Sequence, residues 1–423
     1  MRRYIRGSAT ESQVSGAGVP SKGGILKRTF DKRSGGFRAN AEGYAFLAPA
    51  LLLIGVFGIW PVIYTIYISF HRWRINRGPS VGFDNYLTIF GSYPLIVALA
   101  AAVVMMIVGI VLIHHRRDRS YVRVLTVPRR VRLLHWGGRV LFWGALTAFV
   151  FLLPRLWNEG DDRFWQSLRV TVFYSLGTVP IQIVLGMLVA VMFDQRVRGK
   201  QAFRVIYLLP YIAPNVAAAS IFQTLFSLRP ESFANQLFAM TGNEPLRWVR
   251  EVRGVFELAF GWGSGSAETV FAEYWQGWIQ GPGLSLVTVM ILSVWIYTGY
   301  YALIYANGLS NIPRQLYEAA EVDGAGRWTK LRDITIPLLS PTTLFLTMLG
   351  VIGTFKSFNT IYVMRLPAAA EAVDTLSIYL FFTFYRRQRY GYAGAMALVL
   401  FLIILGLTVY QRKVMERRVH YGD

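Results

Sequence analysis

The sequence predicts an all-α, polytopic membrane protein with about eight transmembrane helices, and three observations support this fold class. Of the 423 residues, 54% are hydrophobic, and the mean hydropathy is +0.39. Only 16% are charged, whereas soluble domains carry about a quarter. Apolar runs of bilayer-spanning length, which is about 20 residues, recur along the chain. Most of the protein is therefore predicted to lie within a lipid bilayer.

The apolar runs divide the chain into segments. A basic tail (1–43) is predicted to be disordered and cytoplasmic. A core (165–410) follows two extra helices (93–156) joined by an arginine-rich link, and a short cytoplasmic tail (411–423) ends the chain. The predicted spans are 44–70, 93–113, 140–156, 165–193, 203–228, 284–309, 341–364 and 392–410.

The charge pattern predicts the topology. The net charge is +21, and the basic residues cluster between apolar runs, at the N-terminus, in 114–139, in 194–204 and after residue 411. Cytoplasmic segments of membrane proteins carry such an excess, so both termini are predicted to be cytoplasmic. Basic residues at 72–77 and 386–389 run against this trend. The same clustering at helix ends argues against a nucleic-acid partner and favours membrane lipid.

Catalytic and metal-binding chemistry has little support. There is no cysteine, which excludes disulfides and thiolate sites, and the five histidines show no metal-ligand spacing. No G-x-x-x-x-G-K-[ST] phosphate loop is present. The chain is therefore not predicted to be an enzyme or to bind a metal or cofactor itself.

The link between the sixth and seventh spans (311–337) has a helix–turn–helix pattern. Pro313 suits the start of a helix, and Leu316, Ala319 and Ala320 share one helical face. Gly324 suits a left-handed helix end, and a second short amphipathic segment leads to Pro337. Small alanines would let a partner approach closely.

The sequence of this link, EAAEVDGAGRWTKLRDITIP, resembles the docking motif of binding-protein-dependent ABC importer permeases. The motif positions here are Glu318, Ala319, Ala320, Gly324, Ile334, Ile336 and Pro337; the family usually has leucine where Ile336 stands. The resemblance implies that the segment seats in an ABC ATPase dimer, which uses ATP and Mg. It also implies a second permease subunit, an extracytoplasmic solute-binding protein and a location in the bacterial or archaeal cytoplasmic (inner) membrane.

The resemblance extends over roughly 165–403 and the first helix, and it is to the carbohydrate-uptake branch, with its maltose-type and glycerol-phosphate-type larger subunits. The segments FRVIYLLPYIAPNV and SVWIYTGYYALIYANGLSNIP contribute to it. Two departures stand out. The extra helices lie between the first two core helices, and MRLPAAAEAVD replaces the family's frequent Gly-Gly-Pro turn.

Polar and aromatic residues in the sixth and seventh spans are candidates for a solute path, since mid-membrane polar groups face protein or water. The resemblance implies that a maltose-type site uses these spans, and aromatic rings suit sugar faces. Helix packing is the competing interpretation. Lys356 is predicted to snorkel outward or to form an internal hydrogen bond, rather than to attract an anion. The candidates are Tyr297, Tyr300, Thr354, Ser357 and Asn359.

Prolines mark a candidate gate. Pro210 and Pro214 fall within the fifth span, where proline removes a backbone hydrogen bond and bends a helix. Broken helices often border transporter gates, although a static kink is an equal alternative. The external loop 229–283, rich in tryptophan, is predicted to form a small cap with interfacial anchors.

Three other functions compete with an importer permease. An ion-coupled secondary transporter would need carboxylates along its path, and none lies well inside a span. A membrane enzyme would need a catalytic constellation. A structural scaffold would have no use for the docking motif. The sequence does not name the solute.

Overall fold

The computed structural model describes residues 37–114, 129–194, 199–242, 244–265 and 268–415. Within these ranges the regular structure is helical, and β-type pairing is confined to two isolated bridges, His71–Ser80 and Gly254–Gly283. The predicted all-α class is confirmed.

The chain divides into two compact units, Met1–Val62 and Ile63–Asp423. In the first unit, helix α1 (Phe37–Leu53) continues into a π-helix (Ile54–Ile59), and α2 (Trp60–Ser69) begins there. The helix starts seven residues before the predicted span, and Pro49 lies within it. Residues 1–36 of the predicted tail lie outside the described residues.

The second unit contains the remaining helices. The first ten are α3 (Asp84–Phe90), α4 (Tyr93–His114), α5 (Arg129–Glu159), α6 (Asp162–Asp194), α7 (Lys200–Ile212), α8 (Asn215–Leu225), α9 (Phe233–Ala239), α10 (Val255–Phe260), α11 (Val270–Ile279) and α12 (Leu284–Ser310). The others are α13 (Arg314–Val322), α14 (Arg327–Lys330), a π-helix (Leu331–Thr335), α15 (Ile336–Leu338), α16 (Ser340–Phe355), α17 (Asn359–Met364), a 3₁₀ turn (Pro367–Ala369), α18 (Ala370–Val373), α19 (Leu376–Tyr385) and α20 (Tyr390–Met415).

The number of membrane-spanning helices agrees with the prediction of about eight. Six helices of the described chain are long and apolar enough to cross a membrane. Two bent pairs, Gln201–Ile212 with Asn215–Leu225 and Arg327–Leu338 with Ser340–Phe355, raise the number to eight if each pair is one span. The last helix, α20, runs five residues beyond the predicted tail boundary, to Met415, and residues 416–423 lie outside the described part.

The third predicted span (140–156) was too short. The apolar helix extends over Trp136–Glu159, through a Gly137–Gly138 pair that interrupts the hydropathy signal. Gly138 is buried and packs on α4: a β-carbon there would lie 3.0 Å from Leu112 Cβ and 3.1 Å from the Gly109 carbonyl oxygen. The glycine is a helix-packing residue of a type common in membranes, so it does not end the helix.

The seventh predicted span (341–364) was wrong as a single helix. Helix α16 ends at Phe355, and the chain resumes helical structure only at Asn359. The Lys356 amide donates to the Ile352 carbonyl at 3.2 Å, and the Ser357 amide donates three residues back to Thr354 at 3.2 Å. The tighter last bond is typical of a helix terminus. Lys356 is exposed at this end.

The N-terminus of α6 is capped by Asp161, whose Oδ1 accepts from the amides of Arg163 at 3.1 Å and Phe164 at 3.3 Å. Its Oδ2 accepts from the hydroxyls of Tyr379, at 2.7 Å, and Tyr392. One carboxylate therefore joins the start of α6 to α19 and α20.

The central helix of the second unit is α12, which packs against α6, α7 and α16. Leu286, Leu292 and Ile296 on α12 are at most 1% exposed. Gly299 allows the close approach of α7, because a side chain at this position would overlap the Tyr207 carbonyl. Four helices thus meet around the middle of α12.

Candidate functional site

A cavity of about 230 Å³ lies where α6, α7, α12 and α16 meet. Four of the five predicted solute-path residues line it, and Asn359 does not, since it is exposed at the start of α17. The lining comprises Tyr174, Gln182, Tyr211, Tyr297, Tyr300, Tyr301, Leu349, Gly350, Gly353, Thr354 and Ser357.

Sequence reasoning missed the contribution of α6 to this cavity. Tyr174 and Gln182 are buried and, with Thr178 between them, form a polar stripe at four-residue spacing. Such a stripe in an apolar helix places its members on one face and could have identified them. Tyr211 gave no comparable signal, because its place in the cavity depends on the bend of α7.

Hydrogen bonds hold the cavity walls together. The hydroxyls of Tyr174 and Ser293 lie 2.6 Å apart, and Gln182 Nε2 donates to the Ser293 carbonyl at 3.1 Å. Thr354 donates to the Ser175 hydroxyl at 2.9 Å. Thr354 therefore fastens α16 to α6 as well as lining the cavity, so the packing interpretation holds for part of its role.

Ser357 has a looser position. Its hydroxyl lies 3.5 Å from the Tyr174 hydroxyl, at the limit of a hydrogen bond. The residue stands in the non-helical step between α16 and α17, and it is half-buried. Its hydroxyl is therefore better placed than that of Thr354 to exchange its partner for a solute.

Tyrosine rings form the opposite side of the cavity. Tyr211 and Tyr300 stack with their centroids 4.6 Å apart, and Tyr211 meets Tyr297 edge-on at 5.8 Å. No residue in the lining of this cavity is charged. The site thus offers aromatic faces and neutral hydroxyl and amide groups.

The helix break near this cavity coincides with one of the two predicted prolines. Helices α7 and α8 meet at 88°, with Pro214 directly before α8. Pro210 lies inside α7 and does not end it, so the prediction that it interrupts the helix was wrong. Pro210 is half-buried, and proline is tolerated inside membrane helices when neighbours satisfy the freed backbone groups.

Helix α8, which follows the bend after α7, contacts helix α17, which follows the non-helical step after α16. Gln223 Nε2 on α8 donates to the Val363 carbonyl on α17 at 2.7 Å. In the following loop, Arg365 makes a two-pronged ion pair with Asp374, at 2.6 and 3.1 Å. These contacts brace the segment that replaces the family's Gly-Gly-Pro turn.

The predicted docking segment is a helix–turn–helix. Helix α13 carries Glu318 and Ala319, both exposed, and the half-buried Ala320. Gly324 has φ +79°. Its amide donates to the Glu321 carbonyl at 3.1 Å, and the Ala325 amide donates to the Ala320 carbonyl at 2.8 Å. This pair of bonds is a Schellman helix end.

The second half of the docking segment folds back onto α13. The Tyr317 and Thr335 hydroxyls lie 2.9 Å apart, and Lys330 pairs with Glu321 at 3.2 Å. Ile334 lies in the π-helix and Pro337 in α15. The surface left open includes Val322, 89% exposed, and Trp328, 71% exposed. Large exposed apolar residues of this kind mark interaction sites.

In its described residues, the predicted external loop 229–283 contains three short helices, α9, α10 and α11, and its own hydrogen-bonded centre. Asn235, fully buried, accepts from the Trp248 indole at 2.8 Å and from the Leu246 amide at 2.9 Å. Helix α11 in this loop packs against α5. One of the two extra helices, α5, thereby contacts the loop 229–283.

The fold and the cavity define the class of this protein: a polytopic α-helical membrane transport protein with a polar site between broken helices. Residues 182–420 match the family of binding-protein-dependent transport system inner membrane components, and the chain belongs to this family. It is an inner-membrane transport component that depends on a binding protein, and the family is one of transporters rather than enzymes.

Individual relatives agree with this assignment. The lactose transport permease LacF of Rhizobium radiobacter is 30% identical over 61% of this chain and 78% of its own length. The trehalose/maltose transport permease MalF of Thermococcus litoralis is 24% identical over 89% of this chain and 95% of its own length. A chain of a bacterial ABC transporter that imports the acidic polysaccharide alginate shares the fold, with a TM-score of 0.53 at 18% identity over 90% of this chain and 96% of that chain.

Proposed function

We propose that this chain is the solute-translocating permease subunit of an ATP-driven importer for a neutral sugar or oligosaccharide. The uncharged, tyrosine-lined cavity between α6, α7, α12 and α16 carries the proposal. Aromatic faces bind the apolar faces of sugar rings, while Ser357 and Gln182 suit hydroxyls. The relatives LacF and MalF are permeases for lactose and for trehalose/maltose transport, which supports the same solute class.

The energy for transport comes, in this proposal, from a separate ABC ATPase dimer that uses ATP and Mg. The exposed helix α13 is the docking element, with Glu318, Ala319 and Ala320 facing outward or partly outward beside the left-handed turn at Gly324. A cytoplasmic position for α13 follows from the predicted topology, in which both termini are cytoplasmic. A second permease subunit completes the pathway.

A working cycle follows from these assignments. The binding protein delivers the sugar to the extracytoplasmic side. Closure of the ATPase dimer pushes α13, and the movement passes through α12, which directly precedes it, to the tyrosine side of the cavity. The stacked rings then part, the sugar enters, and release of the ATPase closure resets the cavity toward the cytoplasm.

The experiment is reconstitution of the chain in proteoliposomes with its partner permease, ATPase and sugar-loaded binding protein. Stimulation of ATP hydrolysis by the loaded binding protein, together with uptake of radiolabelled sugar, is expected. Uptake that persists without the ATPase and collapses with the ion gradient would instead establish a secondary transporter. Absence of any transport by the complete assembly would favour a scaffold.

A further inference from the structure

Arg169 lies in a slot between α6 and α11, outside the proposed solute pathway. Arg169 lies seven residues after the first residue of α6, and its guanidinium rests on the backbone of Gly277 in α11. A β-carbon at position 277 would lie 2.6 Å from Cζ and overlap Nη1. A side chain at position 277 would therefore displace the guanidinium from its place against α11.

Two further hydrogen-bond donors stand on the same face of α11. Tyr274 and Trp278 are four residues apart and flank Gly277. Tyr274 is 4% exposed, and burial raises the pKa of its hydroxyl, which keeps it a donor. The Trp278 ring packs 5.0 Å from Phe173, and its buried indole Nε1 interacts with the Tyr274 hydroxyl without reaching full hydrogen-bond geometry.

The slot is rich in donors and poor in acceptors. Throughout the described ranges, no side chain or carbonyl forms a hydrogen bond or ion pair with the guanidinium of Arg169. The charge of Arg169 acts on Tyr274, which has no negative charge to offer it. A half-buried, unpaired cation is costly, and an anion in the slot would remove that cost.

We propose that this slot binds a phosphate group, with the Arg169 guanidinium as its charged ligand and the Trp278 indole N–H as a second donor. The planar fork of a guanidinium matches phosphate oxygens. Seven residues of helix place Arg169 about 10 Å along α6, near the level of lipid headgroups, and tryptophans such as Trp275 and Trp278 favour that level. The phosphate comes either from a lipid headgroup or from solution.

The test is a thermal-unfolding titration of the purified, delipidated full chain in a non-ionic detergent. The probes are short-chain phosphatidylglycerol, inorganic phosphate and, as an uncharged lipid control, short-chain diacylglycerol. Ligands that bind the folded state raise Tm. Arg169→Gln is expected to lose about tenfold or more in apparent affinity, the effect of removing one charge-assisted contact. Trp278→Phe is expected to lose less.

Arg163→Gln is the matched control, since it removes an exposed arginine from the same helix. An Arg169-dependent Tm rise with the lipid alone assigns a headgroup, and one with inorganic phosphate alone assigns a soluble phosphate; a rise with both shows that the phosphate group suffices. No rise with either probe, or an equal rise in Arg169→Gln and the wild type, would overturn the proposal.

Discussion

The rings of Tyr211 and Tyr300 stack with centroids 4.6 Å apart and an interplanar angle of 15°. This contact joins α7, which ends one residue after Tyr211, to the central helix α12. Both rings line the uncharged cavity. A change in the 88° bend between α7 and α8 would move Tyr211 relative to Tyr300, so the stack connects the helix break to the candidate solute site.

Replacing either stacked ring should weaken solute handling. We expect Tyr211→Ala and Tyr300→Ala to raise the apparent KM for the transported sugar about tenfold, because an aromatic contact and its buried area are lost. Basal ATP hydrolysis by the assembled complex should be unchanged. Tyr410→Ala, an exposed tyrosine on α20, serves as the control, and an unchanged KM in both cavity variants would favour a purely structural role.

A substitution at Gly324 should uncouple the permease from its ATPase. Gly324→Asp must hold φ +79°, which costs a residue with a side chain up to about 1–2 kcal/mol, and aspartate less than most. No heavy atom lies within 4 Å of its added β-carbon, so the strain acts on the turn alone. We expect loss of sugar-stimulated ATP hydrolysis with normal membrane insertion.

Gly326→Asp is the matched control for that variant. Gly326 lies two residues further on with an ordinary φ of −69°, and its added β-carbon also meets nothing within 4 Å. Equal loss of coupling in both variants would mean that added charge, and not the left-handed turn, disturbs the docking segment.

Loss of the Asp161 carboxylate should lower thermal stability. In Asp161→Asn, the cap of α6 and the bonds from Tyr379 and Tyr392 lose their charged acceptor, at a cost of about 1.5–3 kcal/mol. Differential scanning fluorimetry in detergent would measure the fall in Tm. The neighbouring exposed carboxylate gives the control Asp162→Asn, and equal Tm values for the two variants would refute the argument.

Helices α4 and α5, the two extra helices, should separate when Gly138 is replaced by a larger residue. Gly138→Val places methyl groups against Leu112 and Gly109 of α4, and such overpacking costs about 1–3 kcal/mol. Gly137→Val should be neutral, since nothing lies within 4 Å of a β-carbon there. Limited proteolysis in detergent would report the loosened pair, and equal protection of both variants would contradict the predicted packing.

The predicted topology can be tested directly because the chain contains no cysteine. We expect Glu321→Cys in the docking helix to react with an impermeant maleimide only from the cytoplasmic side. Met240→Cys, 82% exposed in the external loop, should react only from the opposite side. Labelling of both positions from the same side would disprove the arrangement.

The residue pattern alone predicts much of the candidate solute site. The polar and aromatic pattern of the sixth and seventh spans predicts Tyr297, Tyr300, Thr354 and Ser357, and these four residues line one cavity. The sequence predicts the seventh span as a single helix that carries Asn359 toward the path, but α16 ends at Phe355 and Asn359 lies outside the cavity lining. The sequence predicts a break at Pro210 as well as at Pro214, because nothing in the linear pattern distinguishes the two prolines.

The sequence by itself determined the environment and the class of the protein, since apolar length and charge placement follow from the physics of the bilayer, and the docking motif is contiguous in the chain. The tertiary structure alone decided which residues form the cavity. Tyr174 and Gln182 reach it because α6 packs on α12, and Tyr211 reaches it because Gly299 lets α7 approach and the helix bends at Pro214. Close packing of helices distant in sequence depends on the shapes of both partners, which hydropathy and spacing do not encode.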